Sequence, residues 1–200
     1  YNIKNHDFID IGTPQDFKKI KMFFKKTLLK KAIILDRDGV INKDIGYAFN
    51  PNQIKWGKNL FKFFKKLNDD GYLIFIVSNQ SGIGRGFYKY KDVINLHNWM
   101  NKVFMLNNAH IDEFFFSPYY KDSKLAEYRK KIYLKLRKPN TGVIKLIQKK
   151  WNIDIKNSIM VGDNLSDEKF AKNVGLKFLF CSYGKNLIDI YRLINKVKII

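Results

Sequence analysis

Five short apolar runs spaced along the chain limit what it can fold into: Ala32-Ile33-Ile34-Leu35, Leu73 to Val77, Phe114-Phe115-Phe116, Ser158 to Val161, and Leu176 to Phe180. Each is continuous rather than alternating and rich in β-branched or aromatic residues, which is the pattern of a strand buried on both faces. Between them, apolar residues recur at helical spacing: Leu60, Phe63, Phe64 and Leu67, then Val93, Leu96, Met100, Val103 and Phe104, then Val143, Ile144, Ile147 and Trp151. Strands that alternate with helices of this length predict an α/β fold with right-handed crossovers, a three-layer sandwich around a parallel sheet.

Ligands of such a sheet gather beyond the carboxyl ends of its strands, and the residues there are polar and distinctive. The first strand runs into Asp36-Arg37-Asp38-Gly39, the second into Ser78-Asn79-Gln80-Ser81-Gly82, and the strand ending at Val161 into Gly162-Asp163-Asn164-Leu165-Ser166-Asp167. At 200 residues the chain has room for one such domain. No apolar run approaches the roughly 18–20 residues of a membrane span, and no export signal opens the sequence, so a soluble, cytoplasmic chain is expected. The single cysteine, Cys181, rules out an internal disulfide and reads as a packed residue at a strand end. The formal charge of +20 attracts anions, but the lysines are scattered. That pattern suits a phosphorylated substrate better than nucleic acid, which is not expected as the main partner.

Asp36 and Asp38 lie two apart beyond a buried strand, and Gly39 permits a sharp turn that aims both carboxylates into one cavity. One can attack phosphorus while the other protonates the leaving oxygen and later activates water. Asp163, arriving from another strand, adds like charge and calls for a cation; hard oxygen ligands and a phosphate co-ligand select Mg²⁺. Ser78 offers a hydroxyl, its loop offers N–H donors, and Lys138 offers fixed positive charge for a phosphoryl group. Each element also has a plain reading: Asp-x-Asp-Gly as a turn or part of a calcium loop, Ser78-Asn79 as a helix cap, Asp163 and Asp167 as the cap and first-turn acid of a helix, Lys138 as a solvated lysine. Their occurrence in order, each at a strand or helix junction, favours one catalytic site.

These residues resemble the haloacid-dehalogenase-like phosphohydrolases. Asp36 to Asn42, Gly46-Tyr47, Ser78 to Gly86, Arg137-Lys138-Pro139 and Val161-Gly162-Asp163-Asn164 are similar to the branch that holds D-glycero-D-manno-heptose 1,7-bisphosphate phosphatases and histidinol phosphatases, over Lys31 to Cys181. The resemblance implies a Rossmann-like sandwich, with Asp36 as nucleophile, Asp38 as general acid and base, and Ser78 and Lys138 on the phosphoryl group. It implies Mg²⁺ on the carboxylates of Asp36 and Asp163 and the backbone carbonyl of Asp38. Substrate contacts fall on Asp44, Ile45, Gly46, Tyr47, Asn79, Gln80, Ser81 and Arg137. Many members carry a Cys/His zinc loop before the Arg-Lys-Pro motif. Ser117 to Leu136 holds neither residue, so zinc is not expected, and the stretch reads instead as a basic, aromatic flap beside the site. No large insertion follows Asp38 or Ser78, so no large cap domain is expected.

Residues 1–29 form an N-terminal extension ahead of a phosphatase domain at 30–200. Phe8 to Asp16 is similar to the closing motif of sugar-phosphate nucleotidyltransferases, with a linker helix expected from Asp16 to Leu29, which suggests a nucleotidyltransferase domain fused upstream. That pairing favours a small phosphorylated sugar, heptose 1,7-bisphosphate in surface-polysaccharide synthesis, over histidinol phosphate. The rival from another class is a non-catalytic, basic nucleic-acid-binding module.

Overall fold

The first strand, β1 (Ala32–Leu35), sits at the centre of a five-stranded parallel sheet. On one side lie β2 (Leu73–Asn79) and then β3 (Glu113–Ser117); on the other lie β4 (Ile159–Gly162) and then β5 (Lys177–Phe180). The computed structural model describes residues 13–15 and 28–196. Most of the Phe8 to Asp16 motif and of the helix expected from Asp16 to Leu29 lies outside the described residues, as do residues 197–200.

The period-two geometry of a strand sorts β1 between two cores. Ile33 and Leu35 face a layer built from α1 (Leu60–Asp69), α2 (Tyr90–Leu106) and α5 (Leu187–Lys196), where Phe63, Phe64, Met100, Phe104 and Ile190 are buried. Ala32 and Ile34 face the opposite layer, α3 (Gly142–Lys150) and α4 (Leu165–Val174), through Ile144, Ile147 and Phe170. This is the expected three-layer α/β sandwich. Neither the loop from Asp36 to Asn59 nor the loop from Gln80 to Lys89 builds a separate cap domain. Among the described residues, no helix is long and apolar enough to cross a membrane.

One expectation needs correction. Burial on both faces holds for β1, β2 and β4 but fails for β3 and β5, where Phe180 is 53% exposed. These are the sheet edges, with a neighbouring strand on one side only, so the helix layers cover them incompletely.

The chain pairs outward from β1 to β2 to β3, then returns to place β4 on the far side of β1. That reversal opens a crevice between the carboxyl ends of β1 and β4, where ligands of doubly wound sheets settle. Asp36 follows one of these strands and Asp163 the other.

The helix layer beneath the crevice rests on aromatic packing. Phe104 is fully buried, with its ring 4.5 Å from Phe64, 5.2 Å from Phe61 and 5.7 Å from Trp56 between centroids. Phe104→Ala should therefore cost about 3–5 kcal/mol. In urea unfolding this reads as a lowered midpoint with an unchanged slope.

Candidate active site

At the end of β1, the Asp36 N–H still bonds to Val161 O at 3.0 Å, so the strand register carries into the site. The chain then turns through Gly39 (φ 86°). A Cβ at position 39 would stand 1.8 Å from Asp163 Oδ2, so a side chain here would displace the carboxylate arriving from β4. Glycine thus serves twice, for the turn and for the approach.

Asp36 Oδ1 accepts from the Arg37 N–H at 2.8 Å and faces Lys138 Nζ at 2.9 Å. Its other oxygen, Oδ2, takes no hydrogen bond or ion pair from the described residues. Lys138 is buried; its ammonium also reaches Asp167 Oδ1 at 2.7 Å. Asn79 holds the lysine in place by accepting from its N–H at 3.0 Å and donating to its carbonyl at 3.1 Å.

Asp167 is fully buried in the first turn of α4, where its Oδ2 also accepts from the Asn164 N–H as half of a capping box. Gly162 makes the room, since a Cβ there would meet the Asp167 side chain at 2.4 Å. Carboxylate oxygens of Asp36, Asp163 and Asp167 can all lie within 4.8 Å of one another, the one such cluster among the described residues.

Electrostatics follow from this crowding. Burial, only partly offset by Lys138 and worsened by Asp167, pushes Asp36 up to about 7. Burial, then Asp167, lifts Asp163 to about 6. Burial works against the charge on Lys138, but the carboxylates of Asp36 and Asp167 outweigh it and hold the ammonium above its ordinary value.

Asp38 faces the other way. The fully buried Arg37 donates to both its oxygens, from Nε at 3.1 and 3.2 Å and from Nη2 at 2.8 Å. Asn42 Nδ2 and Gln80 Nε2 complete the grip, each at 2.9 Å. Arg37 is itself fixed by Ala48 O, Gln80 Oε1 and the His97 ring. Burial and then the Arg37 charge hold His97 well below its ordinary pKa, so it stands neutral. Gln80 Nε2 also donates to Ser78 Oγ at 2.6 Å. An oxygen that already accepts there keeps its own proton to donate into the cavity.

The cavity has a volume of about 490 Å³ and opens at the sheet edge predicted for ligands. It is lined by Asp36, Asp38, Asp44, Gly46, Ser78, Asn79, Arg137, Lys138 and Asp163, all expected from the sequence, together with Pro139, Asn164 and Ser166. Ile45, Tyr47, Gln80 and Ser81 do not line it. Ile45 and Tyr47 are exposed on the adjoining loop, and Gln80 is buried behind Asp38 and Ser78. Sequence reasoning missed Asp167 and Arg37 as members of the site. A signal for Asp167 was present in Gly162-Asp163-x-x-x-Asp167, where one helical turn returns a second acid to the strand end. Cys181 is buried, and burial raises its thiol to about 11, consistent with a packing role.

A family model described as polynucleotide kinase 3 phosphatase matches residues 31–182. The D-glycero-alpha-D-manno-heptose-1,7-bisphosphate 7-phosphatase of Burkholderia mallei is 37% identical over 153 residues, 76% of this chain and 80% of that protein. The D-glycero-beta-D-manno-heptose-1,7-bisphosphate 7-phosphatase of Rhodopseudomonas palustris is 36% identical over 147 residues, 74% of this chain and 81% of that protein. Among solved structures, the D,D-heptose 1,7-bisphosphate phosphatase from B. bronchiseptica, complexed with magnesium and phosphate, superposes with a TM-score of 0.66 at 24% identity, covering 81% of this chain and 86% of its own. The chain belongs to the polynucleotide kinase 3 phosphatase family of haloacid-dehalogenase-like phosphatases.

Proposed function

We propose that this chain is a magnesium-dependent phosphomonoesterase that removes the C7 phosphate of D-glycero-D-manno-heptose 1,7-bisphosphate through an aspartyl-phosphate on Asp36, in the synthesis of surface polysaccharide. The observation that carries the reaction is the Asp36 carboxylate. One oxygen is anchored by Lys138 and the Arg37 N–H while the other is left unengaged beside an open cavity. The substrate rests on the relatives, which bear the names of heptose-1,7-bisphosphate 7-phosphatases.

The donor set fits a hard divalent cation. It consists of oxygens alone, and a single buried ammonium faces three carboxylates, so negative charge remains uncompensated. Both oxygens of Asp167 are committed, to Lys138 and to the Asn164 N–H. Asp36 and Asp163 are therefore the residues that would hold Mg²⁺, with the Asp38 carbonyl that the family resemblance adds. Bound there, the ion would offset the charge of the carboxylates and of the phosphoryl group.

In the first step the unengaged oxygen of Asp36 attacks phosphorus, and the bond from phosphorus to the sugar oxygen breaks. Asp38 gives its proton to that oxygen. In the second step Asp38 takes a proton from water, whose oxygen attacks the same phosphorus and frees Asp36 with release of inorganic phosphate. Lys138 and the Ser78 hydroxyl hold the phosphoryl oxygens throughout. The pinning of Asp38 by Arg37, Asn42 and Gln80 sets the direction from which it exchanges protons.

The isolated bridge between Lys30 and Ile153 supports a boundary near residue 30 between the extension and the phosphatase domain. An upstream nucleotidyltransferase and a cytoplasmic location fit the same pathway role.

Asp36→Asn should lower phosphate release at least about a thousandfold, and Asp38→Asn about a hundredfold to ten-thousandfold. Colorimetric phosphate assays on heptose 1,7-bisphosphate, histidinol phosphate and unrelated monoesters should rank the heptose first. Equal, slow turnover of all of them would remove the support for that substrate.

The raised Asp36 and Asp163 also predict how magnesium acts. At pH 5 both carry protons that the ion must displace; at pH 8 both are ionised. Magnesium at about a hundred times its Kd should therefore raise Tm by roughly 5–10 °C at pH 8 and by much less at pH 5. Asp163→Asn should remove the rise. Without the ion the sign reverses. The fold holds a proton on Asp36 up to about 7 that the unfolded chain releases near 3.8, so stability declines as pH climbs through that window.

A further inference from the structure

Behind Asp38 and Arg37 sits a histidine that does not line the cavity. His97, on α2, is 4% exposed; its ring stacks on Phe114 of β3 with centroids 4.4 Å apart and meets the Phe116 ring edge-on at 5.4 Å. Its Nε2 lies 3.3 Å from Arg37 Nη1. A guanidinium only donates, so this nitrogen accepts, which places the imidazole proton on Nδ1. The lowered pKa of His97 agrees, since a second cation here would face Arg37.

Packing alone does not account for a histidine at this point. A phenylalanine would stack on Phe114 as well and would bury no polar group. What the imidazole adds is an acceptor for a corner of Arg37 that nothing else meets: among the described residues, Nη1 has no other hydrogen-bond partner.

The other two nitrogens of Arg37 are spent elsewhere. Nε and Nη2 form one edge of the guanidinium and grip both oxygens of Asp38, and Nη2 also reaches Ala48 O at 2.7 Å and Gln80 Oε1 at 3.2 Å. Three nitrogens define the plane of the fork. With Nη1 seated on His97, the edge that faces Asp38 cannot tip without stripping a buried, charged donor of its acceptor, which is costly.

We infer that His97 is a positioning residue for the reaction: by accepting from Arg37 Nη1 it locks the guanidinium whose Nε–Nη2 edge aims Asp38 at the leaving oxygen. The inference rests on the phosphatase reading and deepens it. A general acid must come within about 2.6–3.2 Å of the oxygen it protonates, so a small rotation of Asp38 weakens the step that lets a poor leaving group depart. His97 touches no reacting atom. Its effect therefore falls on esters that depend on the proton of Asp38 and spares those that do not.

The test compares two classes of ester with magnesium present. The alkyl phosphate that the parent turns over best loses an oxygen that needs a proton, whereas p-nitrophenyl phosphate loses a phenolate that is stable without one. For each, kcat/KM reports the steps up to the first irreversible one, the transfer of phosphorus to Asp36 with loss of the alcohol or phenol. His97→Phe, which keeps an aromatic ring for the stack but offers no acceptor, should lower kcat/KM on the alkyl ester about tenfold to a hundredfold and on the aryl ester by less than about threefold. His97→Gln, whose Oε1 can take the place of Nε2, should recover most of the loss on the alkyl ester. If His97→Phe does not fold, His97→Leu serves the same comparison. Equal losses on the two esters, no loss on the alkyl ester, or a His97→Gln protein no better than His97→Phe overturns the positioning role. Failure of the catalytic reading would appear separately, as an Asp38→Asn protein with no bias between the esters or as phosphate release that survives Asp36→Asn.

Discussion

The buried ammonium of Lys138 is the contact on which the rest of the site depends. It joins three distant parts of the chain: the end of β1 through Asp36, the loop before α3 through its own backbone, and the first turn of α4 through Asp167. An isolated buried charge costs several kcal/mol, and pairing repays this only when geometry and further hydrogen bonds are good. Here Asn79 fixes the lysine backbone and the Asn164 cap fixes Asp167, so both partners are placed before any ligand arrives. One positive charge still faces three carboxylates. Burial, and then the like charge of Asp167, raises Asp36 and Asp163, and the uncompensated charge suits a cation. Stability is spent at this point to keep charge available where chemistry needs it.

A second buried cation solves a different problem. Asp36 and Asp38 lie two residues apart, yet their side chains answer to separate networks. Asp36 turns toward Lys138, and Asp38 toward Arg37, Asn42 and Gln80. Arg37 is held in turn by Ala48 O, Gln80 Oε1 and a neutral His97 on α2. The division keeps two neighbouring carboxylates from being neutralised by one counter-charge. It also lets α2, none of whose residues lines the cavity, influence the orientation of Asp38 through His97 and Arg37.

Much of this was legible in the sequence because strand ends are where a parallel sheet displays its chemistry. Asp36, Ser78 and Asp163 each follow a run of buried apolar residues, so periodicity alone placed them at one edge. The members that escaped are those whose local role looks sufficient. Asp167 reads as an ordinary first-turn acid of a capped helix, and it is one; its burial and its contact with Lys138 come from a lysine 29 positions away. Arg37 reads as exposed by type, but it is fully buried because Ala48, Gln80 and His97 close around it. Gln80 was expected to touch substrate, whereas its amide is spent on Asp38 and Ser78. Periodicity likewise marked β3 and β5 as strands, but whether a strand has neighbours on both sides is decided by topology.

The loop after β2 joins the networks of Asp38 and of the flap. Ser78, whose hydroxyl accepts from Gln80, and Gln80, which also donates to Asp38, are followed within a few residues by Gly84, where the flap attaches, and Arg85, which lies over the Tyr120 ring. The loop before α3 repeats the arrangement in miniature, with Arg137 at the wall and Lys138 beneath it. Consecutive Cα atoms are about 3.8 Å apart, so short covalent spans limit how far Arg85 can stand from Ser78 and Arg137 from Lys138. The places of these groups are therefore set by two short segments anchored at strand and helix ends, rather than by the long flap between β3 and α3.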